Sequence, residues 1–185
     1  FMQKATGVGD WKYSVTLPAF PNISSDEDIR SALANVTPNV QLLGLLNVKY
    51  IVSAFPIEQI GLIERARFGS TFIYENVHVR PRAFVVGQID AVPDAAAAAQ
   101  WLDNNEMMDA AVVEGLPQSI DLKIQPPAAQ IVSTQPDRIE VQVSGPGLLV
   151  LSEIIAPDWI ATIDDQPAEI FPTDLTLRGV VLPWG

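Results

Sequence analysis

Six carboxylates crowd residues 153–174: Glu153, Asp158, Asp164, Asp165, Glu169 and Asp174. Two such groups held ~5–10 Å apart hydrolyse glycosidic bonds, and turn carboxylates suit calcium. No D-x-[DN]-x-[DN]-G loop is present, and acidic residues also favour turns for local hydrogen-bonding reasons. Spacing therefore leaves their pairing open. If this stretch holds a ligand, the candidate contacts are Asp158, Asp164, Asp165 and Asp174, with Trp184 close behind in the sequence. The carboxylates would accept hydrogen bonds from sugar hydroxyls or hold calcium. The competing reading is a solvated turn. Strand alternation puts Trp159 on one face with Ala161 and Ile163, which favours a core tryptophan over a sugar platform.

Nucleophilic chemistry has little to work with. His78 is the one histidine, and no G-x-S-x-G elbow accompanies it. It reads as a surface or hydrogen-bonded strand histidine. The chain has no cysteine, which removes thiol catalysis, Cys-ligated zinc, iron–sulfur clusters and disulfides. Gly145-Pro146-Gly147 is a turn between strands, not a phosphate cradle. No catalytic residue, metal set or cofactor is expected.

The charge is lopsided. Of 185 residues, 22 are acidic and 11 basic, for a formal net charge of −11. Residues 1–90 balance, with eight of each sign, while residues 91–185 carry fourteen acids against Lys123, Arg138 and Arg178. Such a surface repels phosphate backbones and anionic lipids, so nucleic acid is not an expected partner. With 48% hydrophobic residues the chain can bury a core. No stretch reaches the ~18 apolar residues of a membrane span, and residues 1–10 lack signal-peptide character. A start at Phe1 and a stop at Gly185 are what an excised segment would show.

The elements that must position these groups are mostly strands. Residues 11–17 (WKYSVTL) alternate, and residues 22–28 (NISSDED) start a helix whose apolar positions are Ile29, Leu33 and Val36, stopped by Pro38. Residues 40–47 read as a second short helix and residues 48–53 (VKYIVS) as a strand. Residues 72–79 and 82–89 read as two more strands, separated at Arg80-Pro81. The main helix lies near 93–105, opened by Pro93 and Asp94, with Trp101 in its core face. Residues 110–114 form a short strand. Six short alternating segments then fall within residues 121–182, punctuated by Pro, Gly and Asp, the texture of a sandwich or jelly roll. The expected fold is mainly β (α+β), with an N-terminal α+β portion over 1–118 packed on a C-terminal β-sandwich over 119–185.

Three sets of segments resemble a family. Residues 45–52 (LLNVKYIV) are similar to its LLNVKYVV element, and Tyr74-Glu75-Asn76 with residues 81–86 (PRAFVV) resemble its YEN…PRAF element. Residues 148–153 (LLVLSE), Pro157-Asp158-Trp159, Ile163-Asp164 and residues 181–185 resemble LLVLSE…PGW…VDG…VPAG. Their order is that of the extracytoplasmic C-terminal region of YfhO-like bacterial membrane proteins, type-C glycosyltransferases that use polyprenyl-phosphate sugars. Asp158 and Asp165 stand where the family often has glycine. The resemblance implies a non-catalytic domain at the extracytoplasmic face of a bacterial membrane, tethered through its parent's transmembrane helices. Its implied partners are the membrane portion of that parent and a cell-envelope acceptor glycan. Two alternatives stand beside it: an independent carbohydrate-binding module, and a purely structural or partner-binding domain.

Overall fold

The computed structural model describes residues 37–104, 109–123 and 125–183. The strand and helix expected at 11–36, and Trp184, lie outside the described residues. The chain divides into two compact units at Arg80 and Pro81.

In the first unit, α1 (Val40–Leu45) starts at Asn39, whose side chain accepts hydrogen bonds from the Gln41 and Leu42 amides, both at 3.1 Å. This cap satisfies two of the helix's orphan donors. Gly44 lets the His78 backbone approach; a Cβ there would overlap the His78 carbonyl. Three antiparallel strands follow, β1 (Tyr50–Ser53), β2 (Leu62–Phe68) and β3 (Thr71–Asn76), in the order β1-β3-β2. Register gives the sheet two distinct faces. Phe72, Tyr74 and Asn76 are buried on one, where the Phe72 and Tyr74 rings stack with centroids 6.2 Å apart and the Ile57 amide donates to the Tyr74 hydroxyl. Tyr50, Val52, Ile63, Ala66, Phe68 and Ile73 share the other face with Glu75. A bulge between Glu64 and Ala66 turns Arg65 toward Glu75, with Nε 2.6 Å from Oε2. Residues 54–69 thus form a loop and a charged edge strand.

The second unit is built on one seven-stranded sheet, ordered β4-β10-β14-β13-β6-β5-β7. Its strands are β4 (Ala83–Val86), β5 (Gln88–Val92), β6 (Ala110–Glu114), β7 (Ile120–Asp121), β10 (Gly147–Leu151), β13 (Phe171–Thr173) and β14 (Leu177–Leu182). Two separate hairpins pair β8 (Gln130–Gln135) with β9 (Arg138–Gln142), and β11 (Ala161–Ile163) with β12 (Gln166–Ala168). β5 and β6 run parallel, and parallel neighbours need a crossover. That crossover is α2 (Ala95–Asn104). Asp94 caps it, its Oδ1 accepting from the Ala97 amide at 2.9 Å. Ala98 and Leu102 are buried against the sheet. Trp101, expected in the core, is half-buried and donates its Nε1 proton to Asp90 at 3.1 Å.

The fold is mainly β with two helices among the described residues, as the periodicity implied. Its partition differs from the expected one. Strands before and after residue 118 interleave in a single sheet, so the compact boundary falls at 80/81 rather than 118/119. Residues 119–185 do not close a sandwich of their own: β10, β13 and β14 pair among themselves and with β4 and β6. The run 82–89 is broken at Gly87 into β4 and β5. One residue spans at most ~7 Å between its neighbours, yet β4 and β5 stand first and sixth in strand order. The sheet therefore curls enough to bring the end of its first strand to the start of its sixth. Val86, Ile89, Val112, Leu148, Val150 and Leu177, each no more than 1% exposed, form its core.

Candidate functional site

The densest set of interacting charged groups in the second unit lies where β4, β10 and β14 end together. Residues 81–185 contain only four bases, Arg82, Lys123, Arg138 and Arg178, and two of them meet here. Arg82, beside the start of β4, sends Nε to Glu153 Oε1 at 2.6 Å and Nη2 to the same oxygen at 2.5 Å. Arg178, on β14, is 8% exposed. Its Nε and Nη2 both donate to the Ile154 carbonyl, at 3.0 and 2.9 Å, and its guanidinium lies 4.1 Å from the centre of the Trp159 ring. Burial pulls the Arg178 pKa below the usual arginine range; Glu153 opposes that shift and Arg82 adds to it.

One buried arginine thus clamps loop 152–160 at two points, a backbone carbonyl and an aromatic face. The loop is further tied by the Ser152 amide to the Arg82 carbonyl and by the Ile155 amide to the Thr176 carbonyl, both at 2.8 Å. Held this way, it presents Ile154, Asp158 and Ile160 to solvent. Trp159 is half-buried and roofed by a cation, not packed in an apolar core as alternation implied. The reason is local: Trp159 lies before β11 begins at Ala161, so strand alternation does not govern it.

The acidic candidates separate. Asp164 and Asp165 are the two central residues of the β11–β12 hairpin, exposed, with φ of 49° and 64°. Left-handed backbone at both positions is what a tight hairpin loop requires, and Asp tolerates it at some cost. Asp158 is exposed in the clamped loop. Asp174 is 1% exposed; its Oδ1 accepts from the Val112 amide at 3.0 Å and its own amide donates to the Val112 carbonyl at 2.8 Å. It ties β6 to the end of β13. Among the described residues no group of three His, Cys, Asp or Glu side chains is arranged to hold a metal ion. Replacing Asp164-Asp165 by Asn-Gly is expected to raise stability by about 0.5–1 kcal/mol, through turn chemistry alone. Urea denaturation of the double variant checks this.

Glu114, at the end of β6, has a buried Oε1 without a hydrogen-bond partner among the described residues. Burial raises its pKa, and the Asp94 charge adds to the shift. The folded chain therefore holds this proton more tightly than the unfolded chain. The resulting stability is full below the ordinary glutamate pKa and is lost as pH rises through the raised one. Glu114→Gln is expected to raise Tm at pH 7 by about 1–2 °C and to leave it unchanged at pH 4. Thermal unfolding at the two pH values is the check.

His78 follows β3; its amide donates to the Asn76 side-chain oxygen at 3.0 Å and its ring packs on Gly61. The arginine clamp was missed in sequence. Its one available signal was Arg178 itself, an arginine inside the apolar run of residues 175–182 in a segment almost free of bases. Comparison with family models, curated proteins and solved structures finds no match. No helix among the described residues is long and apolar enough to cross a membrane.

Proposed function

We propose that the chain is a non-catalytic extracytoplasmic domain of a membrane glycosyltransferase-like protein, and that its clamped loop 152–160 helps to position an acceptor glycan. The observation that supports this reading is the convergence of the resembling segments. Residues 81–86, 148–153 and 181–182, scattered in sequence, fall on the adjacent strands β4, β10 and the end of β14. The LLNVKYIV and YEN segments likewise supply the paired strands β1 and β3. Their polar side chains are engaged in packing: Arg82 with Glu153, Lys49 with Glu75, and Asn76 with two backbone carbonyls. Such segments specify a scaffold. What the scaffold holds out to solvent is the loop carrying Trp159 and Asp158.

An independent carbohydrate-binding module would display open tryptophan faces. Trp159 is roofed by Arg178 and the Trp101 nitrogen is held by Asp90, which favours the positioning role. The test is titration of the chain with cell-envelope oligosaccharides, followed by NMR. Weak, saturable shifts confined to residues 152–160 and lost in Asp158→Ala/Trp159→Ala are expected. Unperturbed spectra would dismiss the glycan role. Turnover of a polyprenyl-phosphate sugar by the chain alone would overturn the non-catalytic reading.

A further inference from the structure

The second unit is strongly acidic, with fifteen carboxylates against four bases over residues 81–185. Two of those bases nevertheless stand at one end of its sheet. Leu151 on β10 pairs with Ala83 of β4 on one side and with Arg178 of β14 on the other. Two strand spacings put Ala83 and Arg178 about 10 Å apart at the backbone, and Arg82 directly precedes Ala83. Two arginine side chains can close such a gap. The Arg82 charge is felt at Arg178, where it adds to the lowering of the pKa. Glu153 lies between them and engages Arg82 through Nε and Nη2. Asp158, exposed in the same loop, makes no ion pair with either arginine among the described residues. Two guanidinium groups against one paired carboxylate leave a positive charge over in a unit that is otherwise negative.

The donors are also not used up. Arg178 spends Nε and Nη2 on the Ile154 carbonyl, and Arg82 spends the same two nitrogens on Glu153. Nη1 of each arginine makes no hydrogen bond among the described residues, and neither Nη1 is sealed from solvent. Arg178 is already held flat against the Trp159 ring, so little side-chain freedom remains to be lost when a ligand binds. A carboxylate is the anion that fits. Its two oxygens can bridge two guanidinium groups, and its single charge meets less repulsion from the surrounding acids than the near-double charge of a phosphate monoester. We propose that Arg82 and Arg178 form a carboxylate site, and that the glycan met by loop 152–160 is an acidic one whose uronate carboxyl binds Nη1 of both arginines. The inference rests on the acceptor-glycan reading and adds to it the sign of charge that the loop selects.

The test titrates the full chain with three probes: an oligosaccharide bearing uronic-acid carboxyls, the same oligosaccharide with those carboxyls reduced to alcohols, and inorganic phosphate. The Nε resonances of Arg82 and Arg178 report binding. The acidic oligosaccharide is expected to bind about ten-fold more tightly than the reduced one, the effect of one charge-assisted hydrogen bond, and to lose that advantage as salt rises. Arg82→Gln should erase the difference. Glu153→Gln should widen it, because removing the resident carboxylate frees Nε and Nη2 of Arg82; a gain of affinity cannot come from a damaged fold. Equal binding of the two oligosaccharides would overturn the inference and leave the glycan reading standing. Binding of neither would dismiss the glycan reading and the inference with it. Phosphate binding more tightly than the acidic oligosaccharide would overturn the choice of carboxylate. Weaker acidic binding in Glu153→Gln would show that the ion pair only builds the loop, and would overturn the assignment of Arg82.

Discussion

Asn76→Leu is expected to unfold the first unit while leaving the second intact. Asn76 is fully buried, and its side chain joins three segments of chain. Nδ2 donates to the Val40 carbonyl at 2.8 Å and to the Val48 carbonyl at 3.2 Å, while Oδ1 accepts from the His78 amide at 3.0 Å. Leucine matches its volume but removes all three bonds; the Val40 carbonyl keeps its place in the first turn of α1, while the Val48 carbonyl and the His78 amide lose their partner. Each such group costs about 1–3 kcal/mol in the interior, and domains hold only about 5–15 kcal/mol in all. A loss of about 3–5 kcal/mol is the expected sum. Hydrogen exchange reads it directly: amides of β1, β2 and β3 lose protection and those of β6, β10 and β14 keep theirs. Uniform loss across both units would show that the two do not unfold separately. Asn76→Asp offers no rescue, since a carboxylate cannot donate to either carbonyl.

The second large effect is expected at Arg178. Methionine in its place keeps the apolar stem but removes both hydrogen bonds to the Ile154 carbonyl and the cation above Trp159. Bonds from a charged donor contribute about 1.5–3 kcal/mol and a partly desolvated cation–π contact roughly 1–2 kcal/mol. The measured cost should be about 2–4 kcal/mol, since the terms share one side chain and do not add fully. Trp159 fluorescence should shift to the red as its roof is lost. Arg178→Lys should recover little, because an ammonium cannot fork onto one carbonyl while lying flat over an indole. Full recovery by lysine would mean that charge alone, not the planar clamp, holds loop 152–160.

Neither residue announced itself in the sequence, and the reasons are physical. Pro93-Asp94 followed by alanines makes a helix from local chemistry, and α2 is found within two residues of its expected ends. The apolar runs of β6 and β10 are equally local signals. β12 and β13 carry Pro167 and Pro172, which demote a run as a strand; β13 accordingly pairs with β6 through Thr173 alone. The break at Gly87 falls inside the strand-like run of residues 82–89, and the distant partners of each half reveal it. The same holds for the acids of residues 157–174. Their residue types predicted turns, which is where Asp164 and Asp165 lie, while the burial of Asp174 depends on the Val112 backbone 62 residues earlier. Arg178 and Glu153 needed the sheet order before they could be put near Arg82.

The bend at Gly87 has a kinetic consequence. β4 finds its one strand partner in β10, more than sixty residues on, while β5 finds β6 about twenty residues away. As the chain leaves the ribosome, β5, α2 and β6 can assemble early, yet the strand just before Gly87 must wait with both edges unpaired until residues 147–151 arrive. Non-local pairing of this kind slows folding, and an apolar waiting strand invites pairing with other chains. Refolding by dilution should therefore show a fast phase in α2 and β5–β6, then a slow phase in which β4 amides become protected together with those of β10. Yield in that second phase should fall as protein concentration rises, so that chains cut short before β10 accumulate as aggregates rather than as smaller domains.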